Sequence, residues 1–303
     1  MGRLNQAAVF CLVFSILAGT LAKTTVSAER TGDRIKVFVS IEPQAFFVEQ
    51  VGGENVDVEV LLPSGQSPRS FEPLPRQLAE LARARVFFRI GVPYEERMLS
   101  KISSMFTGLE VVDTRKGIEF RYLDEHGGHA PSSASAHSGE GPDPHIWLDP
   151  GLVKIQAKNI CEGLGRIDPD HAGAYRSNLL AFNRELDELD ARIAGMLAPF
   201  RGRAVYVFHP AYGYFTERYG LRQVAVETGG REPSARELAE LINRMRQDRV
   251  NVIFIQPEFS GTVVSTLQNA LDCSAVRINP LAREYIRNLE KMAESISQAL
   301  KAR

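Results

Sequence analysis

One stretch of this sequence limits the fold more than any other. Leu179, Phe182, Leu186, Leu189, Ile193 and Met196 recur at alternating three- and four-residue steps, with acidic residues filling the positions between them. That period lays one apolar stripe along a helix of several turns. Asp168-Pro169 precedes the pattern and Pro199 stops it. A helix this long does not suit a crossover in one small sheet, so residues 169–198 read as a rigid connector between two lobes.

Each side of the connector alternates strand and helix patterns. Before it, residues 35–41, 56–62, 86–90 and 109–112 read as strands, and helices are expected from Pro75 and over 95–105. After it, 204–208, 223–227, 252–256 and 275–278 read as strands, with helices over 212–219, 261–270 and 281–300. Ser234 with Glu237 three residues on forms a capping box for a helix reaching Arg246. Repeated βα units imply mostly parallel sheets covered by helices. The expected class is therefore α/β: residues 29–168 form an N-terminal lobe, the connector follows, and 199–303 form a C-terminal lobe.

Residues 124–143 interrupt this order. The segment is rich in Gly, Ser, Ala and Pro, lacks apolar periodicity and reads as a mobile loop. His126, His129 and His137 lie in it beside Asp124 and Glu125. Such a tract can capture metal weakly and reversibly, or it can be a solvated linker that carries histidines. The sequence leaves both open.

The first residues read as an export signal: Arg3, then a nearly continuous apolar run over 7–22, then Val26-Ser27-Ala28 as a small-residue cleavage pattern. Cleavage after Ala28 and export of the mature protein are expected, with an uncleaved membrane anchor as the alternative. Of the three cysteines, Cys11 belongs to this segment, while Cys161 and Cys273 can pair or remain buried thiols. A net charge of −1 offers no basic face for nucleic acid. Motifs for zinc proteases, nucleophile elbows, phosphate loops and Cys-x-x-Cys redox pairs are missing, and no nucleophile–base pairing announces itself.

Ligands of open α/β sheets gather beyond the carboxyl ends of the strands. Four segments there carry chemistry: Ser67-Pro68-Arg69-Ser70-Phe71-Glu72-Pro73, Asp143-Pro144-His145-Ile146-Trp147-Leu148-Asp149-Pro150, Phe208-His209-Pro210-Ala211-Tyr212 and Arg277-Ile278-Asn279-Pro280-Leu281. Imidazole is the usual ligand of zinc and similar metals. A single histidine is commonplace in any structure. One per lobe, each at a strand or loop end, is what marks out His145 and His209. Trp147, the only tryptophan, is expected to pack the loop beside the cleft.

These segments, with Val37-Phe38-Val39-Ser40-Ile41-Glu42-Pro43 and Leu61-Leu62-Pro63-Ser64-Gly65, resemble the periplasmic receptors of zinc and manganese ABC importers, the cluster A-I or TroA-like proteins. The resemblance spans nearly the whole mature chain. It implies two lobes on a stiff helix, little hinge motion, a periplasmic protein whose work is binding rather than catalysis, Zn²⁺ (alternatively Mn²⁺ or another divalent ion) between the lobes, and an ABC transporter permease as partner; a monomer is expected. Two of the family's metal ligands fall on His145 and His209, and a histidine at the latter place resembles the zinc branch. The other two fall on Arg69 and Asn279. Guanidinium has no lone pair and repels a cation, and an amide oxygen cannot cancel metal charge. Three arrangements accommodate this. Arg69 swings aside while Glu72 or a loop histidine completes a weaker cage; the site takes a small anion; or a degenerate member keeps the fold and serves as an interaction or adhesion protein.

Overall fold

The computed structural model describes residues 34–102, 106, 108–122, 141–227, 231–257 and 261–302. The export segment and the three loop histidines, His126, His129 and His137, lie outside the described residues. Two four-stranded parallel sheets are present, and they share one strand order. In the N-lobe, β1 (Ile35–Val39), β2 (Val56–Val60), β3 (Val86–Arg89) and β4 (Glu110–Asp113) run in the order β2-β1-β3-β4. In the C-lobe, β5 (Ala204–Val207), β6 (Arg222–Ala225), β7 (Val252–Ile255) and β8 (Ser274–Arg277) run β6-β5-β7-β8. The likeness between the halves is one of topology, as the repeated βα pattern implies.

In the N-lobe, α1 (Glu42–Gly52), α2 (Pro75–Leu81) and α3 (Pro93–Ile102) follow β1, β2 and β3. Helix α4 (Pro150–Ile167) starts just after His145, with Asp149 capping it by accepting from the Gly151 and Leu152 amides. Helix α5 (Ala172–Leu197) is the connector, entered through a 3₁₀ turn over Pro169–His171. Tyr175, Phe182, Leu186, Leu189, Ile193 and Leu197 are its buried positions. Leu179 and Met196, from the expected stripe, are only partly buried. In the C-lobe come α6 (Gly213–Arg218), α7 (Ala235–Gln247), α8 (Thr262–Leu271) and α9 (Tyr285–Lys301). The capping box of Ser234 and Glu237 forms as expected.

The two lobes are not separate cores. One buried cluster runs from β1 and β3 through α1, α4 and α5 into β5, α6 and α9. Tyr285 of α9 meets Phe47 of α1 edge to face at 4.9 Å, and Phe182 of the connector lies 6.0 Å from the same ring. Each such ring removes about 150–250 Å² from water. The C-terminal helix is therefore glued to the N-lobe. Opening the lobes would expose a continuous apolar seam, and this packing opposes a wide hinge. A second, smaller core fills the outer side of the C-lobe sheet around Tyr206, Ile253 and Leu267.

Both described cysteines are buried free thiols. Among the described residues, no helix is long and apolar enough to cross a membrane.

Candidate metal centre

His145 and His209 face each other from the two lobes. Their ring centroids are 5.4 Å apart, with planes inclined at 73°. His145 stands at the head of the 3₁₀ turn over Ile146–Leu148, immediately before α4. His209 stands two residues beyond β5. Pro144 and Pro210 flank them and stiffen the local backbone. The side chains are only 12% and 15% exposed.

Each imidazole is held from behind by a carboxylate. His145 Nδ1 is 2.6 Å from Asp143 Oδ1, and His209 Nδ1 is 2.6 Å from Glu227 Oε2. A neutral imidazole that donates from Nδ1 keeps its lone pair on Nε2. This is the usual outer shell of a metal-ligating histidine, fixing tautomer and ring plane together. Burial holds His209 below its ordinary pKa, against the pull of Glu227, and the nearby charges of His145 and Arg69 act in the same direction. His209 is therefore a lone-pair donor at neutral pH.

Neither carboxylate was singled out in the sequence, although each had a signal. Asp143 lies two residues before its histidine and also accepts the His145 backbone amide at 3.0 Å. Glu227 follows from sheet register. Val207 pairs with Ala225 in adjacent parallel strands, so the same offset of 18 brings residue 227 beside residue 209.

Trp147 is buried beside the pair as expected. Its ring centroid is 5.2 Å from that of His145, and its indole N–H donates to the Pro280 carbonyl oxygen. Pro280 follows Asn279, so this bond draws the segment after β8 toward the N-lobe. Asn279 Oδ1 accepts the Leu281 amide at 2.9 Å, and its own carbonyl accepts from Asn288 of α9. That turn explains why α9 begins at Tyr285 rather than at Leu281. Asn279 also lines a cavity of about 80 Å³ shared by the Pro63–Gln66 turn and Glu42 of the N-lobe with Pro257 and Leu281 of the C-lobe.

The loop with Arg69 and Glu72 is pinned by α3. Arg97 Nη2 donates to the carbonyls of Arg69 and Phe71, and Phe71 packs edge to face on Tyr94 at 4.9 Å. Arg69 is thus held close enough for its charge to act on His209. Glu72 is exposed, and no third His, Cys, Asp or Glu joins the pair as a ligand set among the described residues. A larger open groove of about 590 Å³ lies elsewhere, along the β4 edge between Val111, Arg115 and Arg166, and it contains neither histidine.

Comparison with known proteins identifies the family of the chain. A protein at 29% identity is the high-affinity zinc uptake system protein ZnuA of Bacillus subtilis (strain 168); the match takes in 86% of this chain and 82% of that one. A solved crystal structure of ZnuA superposes with a TM-score of 0.81 at 34% identity, over 88% of this chain and all of that one. A zinc-bound ZnuA deletion mutant superposes at 0.80, also at 34% identity, over 88% of this chain and 98% of that one. Residues 37–299 match the family model described as ZnuA, zinc-uptake complex component A, periplasmic, and the chain belongs to that family.

Proposed function

We infer that this protein is the extracytoplasmic solute-binding component of a metal ABC importer, and that it carries Zn²⁺ as cargo between its lobes. Its work is binding and delivery, in keeping with its family, and it performs no chemical conversion. One observation carries the assignment of the site. Two imidazoles that share a tetrahedral zinc through Nε2, at about 2 Å per bond, have ring centres about 5 Å apart. The separation of His145 and His209 is 5.4 Å, with both Nδ1 atoms already engaged by carboxylates.

In this reading His145 and His209 are the two firm ligands. Asn279 is the candidate neutral oxygen donor, and Arg69 makes the site weaker than a four-ligand cage. Glu72 and the loop histidines His126, His129 and His137 are the candidates for completing the shell. Mn²⁺ or another divalent ion is the alternative cargo. Export by cleavage after Ala28, action as a monomer and docking on a permease complete the proposal.

The test is a competition titration of the purified mature protein against a zinc chelator, beside the His145→Ala, His209→Ala double variant. The expected result is one zinc per chain that survives dialysis in the parent and is lost in the variant. Equal zinc retention by both proteins would remove the pair from the site.

A further inference from the structure

Arg121 has no place among the metal ligands, yet it is joined to the site through one buried group. Its Nη1 is 2.9 Å from Asp143 Oδ2, and the Asp143 side chain is fully buried. The other oxygen of that carboxylate holds His145 Nδ1. Guanidinium, carboxylate and imidazole thus form one chain, in which the carboxylate oxygens face in different directions. A carboxylate with a single fixed partner can still rotate. With a partner on each oxygen, its plane is set.

Arg121 is itself held by the C-lobe. Its Cζ lies over the Tyr214 ring, 5.6 Å from the centroid, and its Nε is 3.4 Å from Glu217 Oε2. Its backbone amide donates to the Tyr214 hydroxyl, which in turn donates to the Asp143 carbonyl. The guanidinium lies directly against the start of α6. A Cβ at Gly213 would stand 1.3 Å from Arg121 Nη1. Any side chain at position 213 would therefore evict the guanidinium from its seat.

We propose that Arg121 is the positioning residue of the metal centre: wedged against Gly213 and Tyr214 of one lobe, it fixes Asp143 and through it the ring of His145 in the other. The proposal rests on His145 being a ligand. It adds that metal affinity is set by a contact between lobes that touches no metal. The absence of a side chain at Gly213 is then part of the binding site.

The experiment measures zinc affinity by chelator competition and metal-free stability by urea denaturation, for Arg121→Met, Gly213→Ala, their double variant, His145→Ala, and Arg121→Met combined with His145→Ala. Loss of an outer-shell partner typically costs about 10–100-fold in metal affinity. Arg121→Met and Gly213→Ala, which leave Asp143 in place but unfixed, are each expected to weaken zinc binding several-fold, up to about tenfold. The double variant should be no worse than the weaker single, because both remove one contact. Arg121→Met should change nothing further once His145 is gone. If Arg121→Met fails to fold, Gly213→Ala, with every charge retained, carries the same test. Unchanged affinity in Arg121→Met or Gly213→Ala, with lowered stability alone, overturns the proposal. So does an equal loss in the presence and absence of His145. If His145→Ala itself leaves zinc affinity unchanged, the ligand assignment fails, and the proposal fails with it.

Discussion

The Trp147 indole N–H donates to the carbonyl oxygen of Pro280 at 2.8 Å, joining the turn behind His145 to the segment that carries Asn279. This buried bond crosses between lobes next to the histidine pair, and the ring centroid of Trp147 is 5.2 Å from that of His145. Replacing Trp147 by Phe keeps much of the ring volume but leaves the Pro280 oxygen without its donor. A buried acceptor without a partner costs about 1–3 kcal/mol. Urea denaturation of Trp147→Phe should show a loss in that range. As the chain's single tryptophan, Trp147 should also change its emission when zinc binds. A flat fluorescence titration would place the metal elsewhere.

The apo protein should show a histidine that titrates below 6.5. Burial lowers the pKa of His209 in the folded state, so on acidification the unfolded chain binds this proton first. The contribution of His209 to stability is therefore present above about 6.5 and declines as the pH falls through that value. A proton NMR titration should place His209 under 6.5. The stability advantage of the parent over His209→Gln should shrink as the pH falls below about 6.5. A His209 pKa above 6.5 would contradict the burial of the ring.

Asp190 of the connector anchors α6. It accepts Arg218 Nε and Nη2, both at 2.6 Å, and the Tyr219 hydroxyl at 3.0 Å. The same Arg218 reaches Asp149, the N-cap of α4, at 3.0 Å. The guanidinium of Arg218 holds the Asp190 carboxyl below its ordinary 3.8. Its stabilisation is present above that value and is lost as the pH falls through the lowered pKa. Asp190→Asn should cost about 1–2 kcal/mol at neutral pH, since charge-assisted bonds are lost while Arg218 keeps Asp149. The difference from the parent should close below about pH 3.8. A difference that stays constant down to pH 2 would assign the effect to packing.

The pair Arg69 and Asn279 gives a gain-of-function prediction. A structural zinc site gains roughly 10–16 kcal/mol from four ligands, about 3 per ligand. Arg69→His with Asn279→Asp supplies one new ligand, gives the neutral oxygen donor a charge and removes one repelling charge. The new aspartate can still accept the Leu281 amide, so the turn is kept. Zinc affinity should rise by roughly two orders of magnitude or more. Calorimetry showing no gain would mean that these positions do not face the metal.

Much of the fold was legible in advance, because its signals are local. The strands are short β-branched runs, and the Ser234 box and the connector stripe follow from periodicity. Two helices were not foreseen. Helix α1 opens on Glu42-Pro43 directly after β1, and its apolar residues Phe46, Phe47, Val48 and Val51 are too dense to give a one-sided stripe. Helix α4 likewise buries Gln156 and Asn159 within its packing, and these polar positions mask its period. Asn159 is spent on the carbonyls of Thr114 and Lys116, which a one-dimensional reading cannot anticipate.

The site divides in the same way. The two histidines could be read from residue type and from their place at a strand or loop end. The carboxylate partner of His209 depends on strand register, and that of His145 on the local turn that folds Asp143 back against the ring. The role of Arg121 depends on a glycine 92 residues away, which pattern alone does not connect to it.

The most direct test of the account is X-ray absorption at the zinc edge on the metal-loaded protein, with His145→Ala and His209→Ala measured in parallel. The account predicts at least two imidazole nitrogens at about 2.0–2.1 Å in the parent, and one fewer in each variant. A first shell of oxygens alone, or a spectrum unchanged by either substitution, would contradict it.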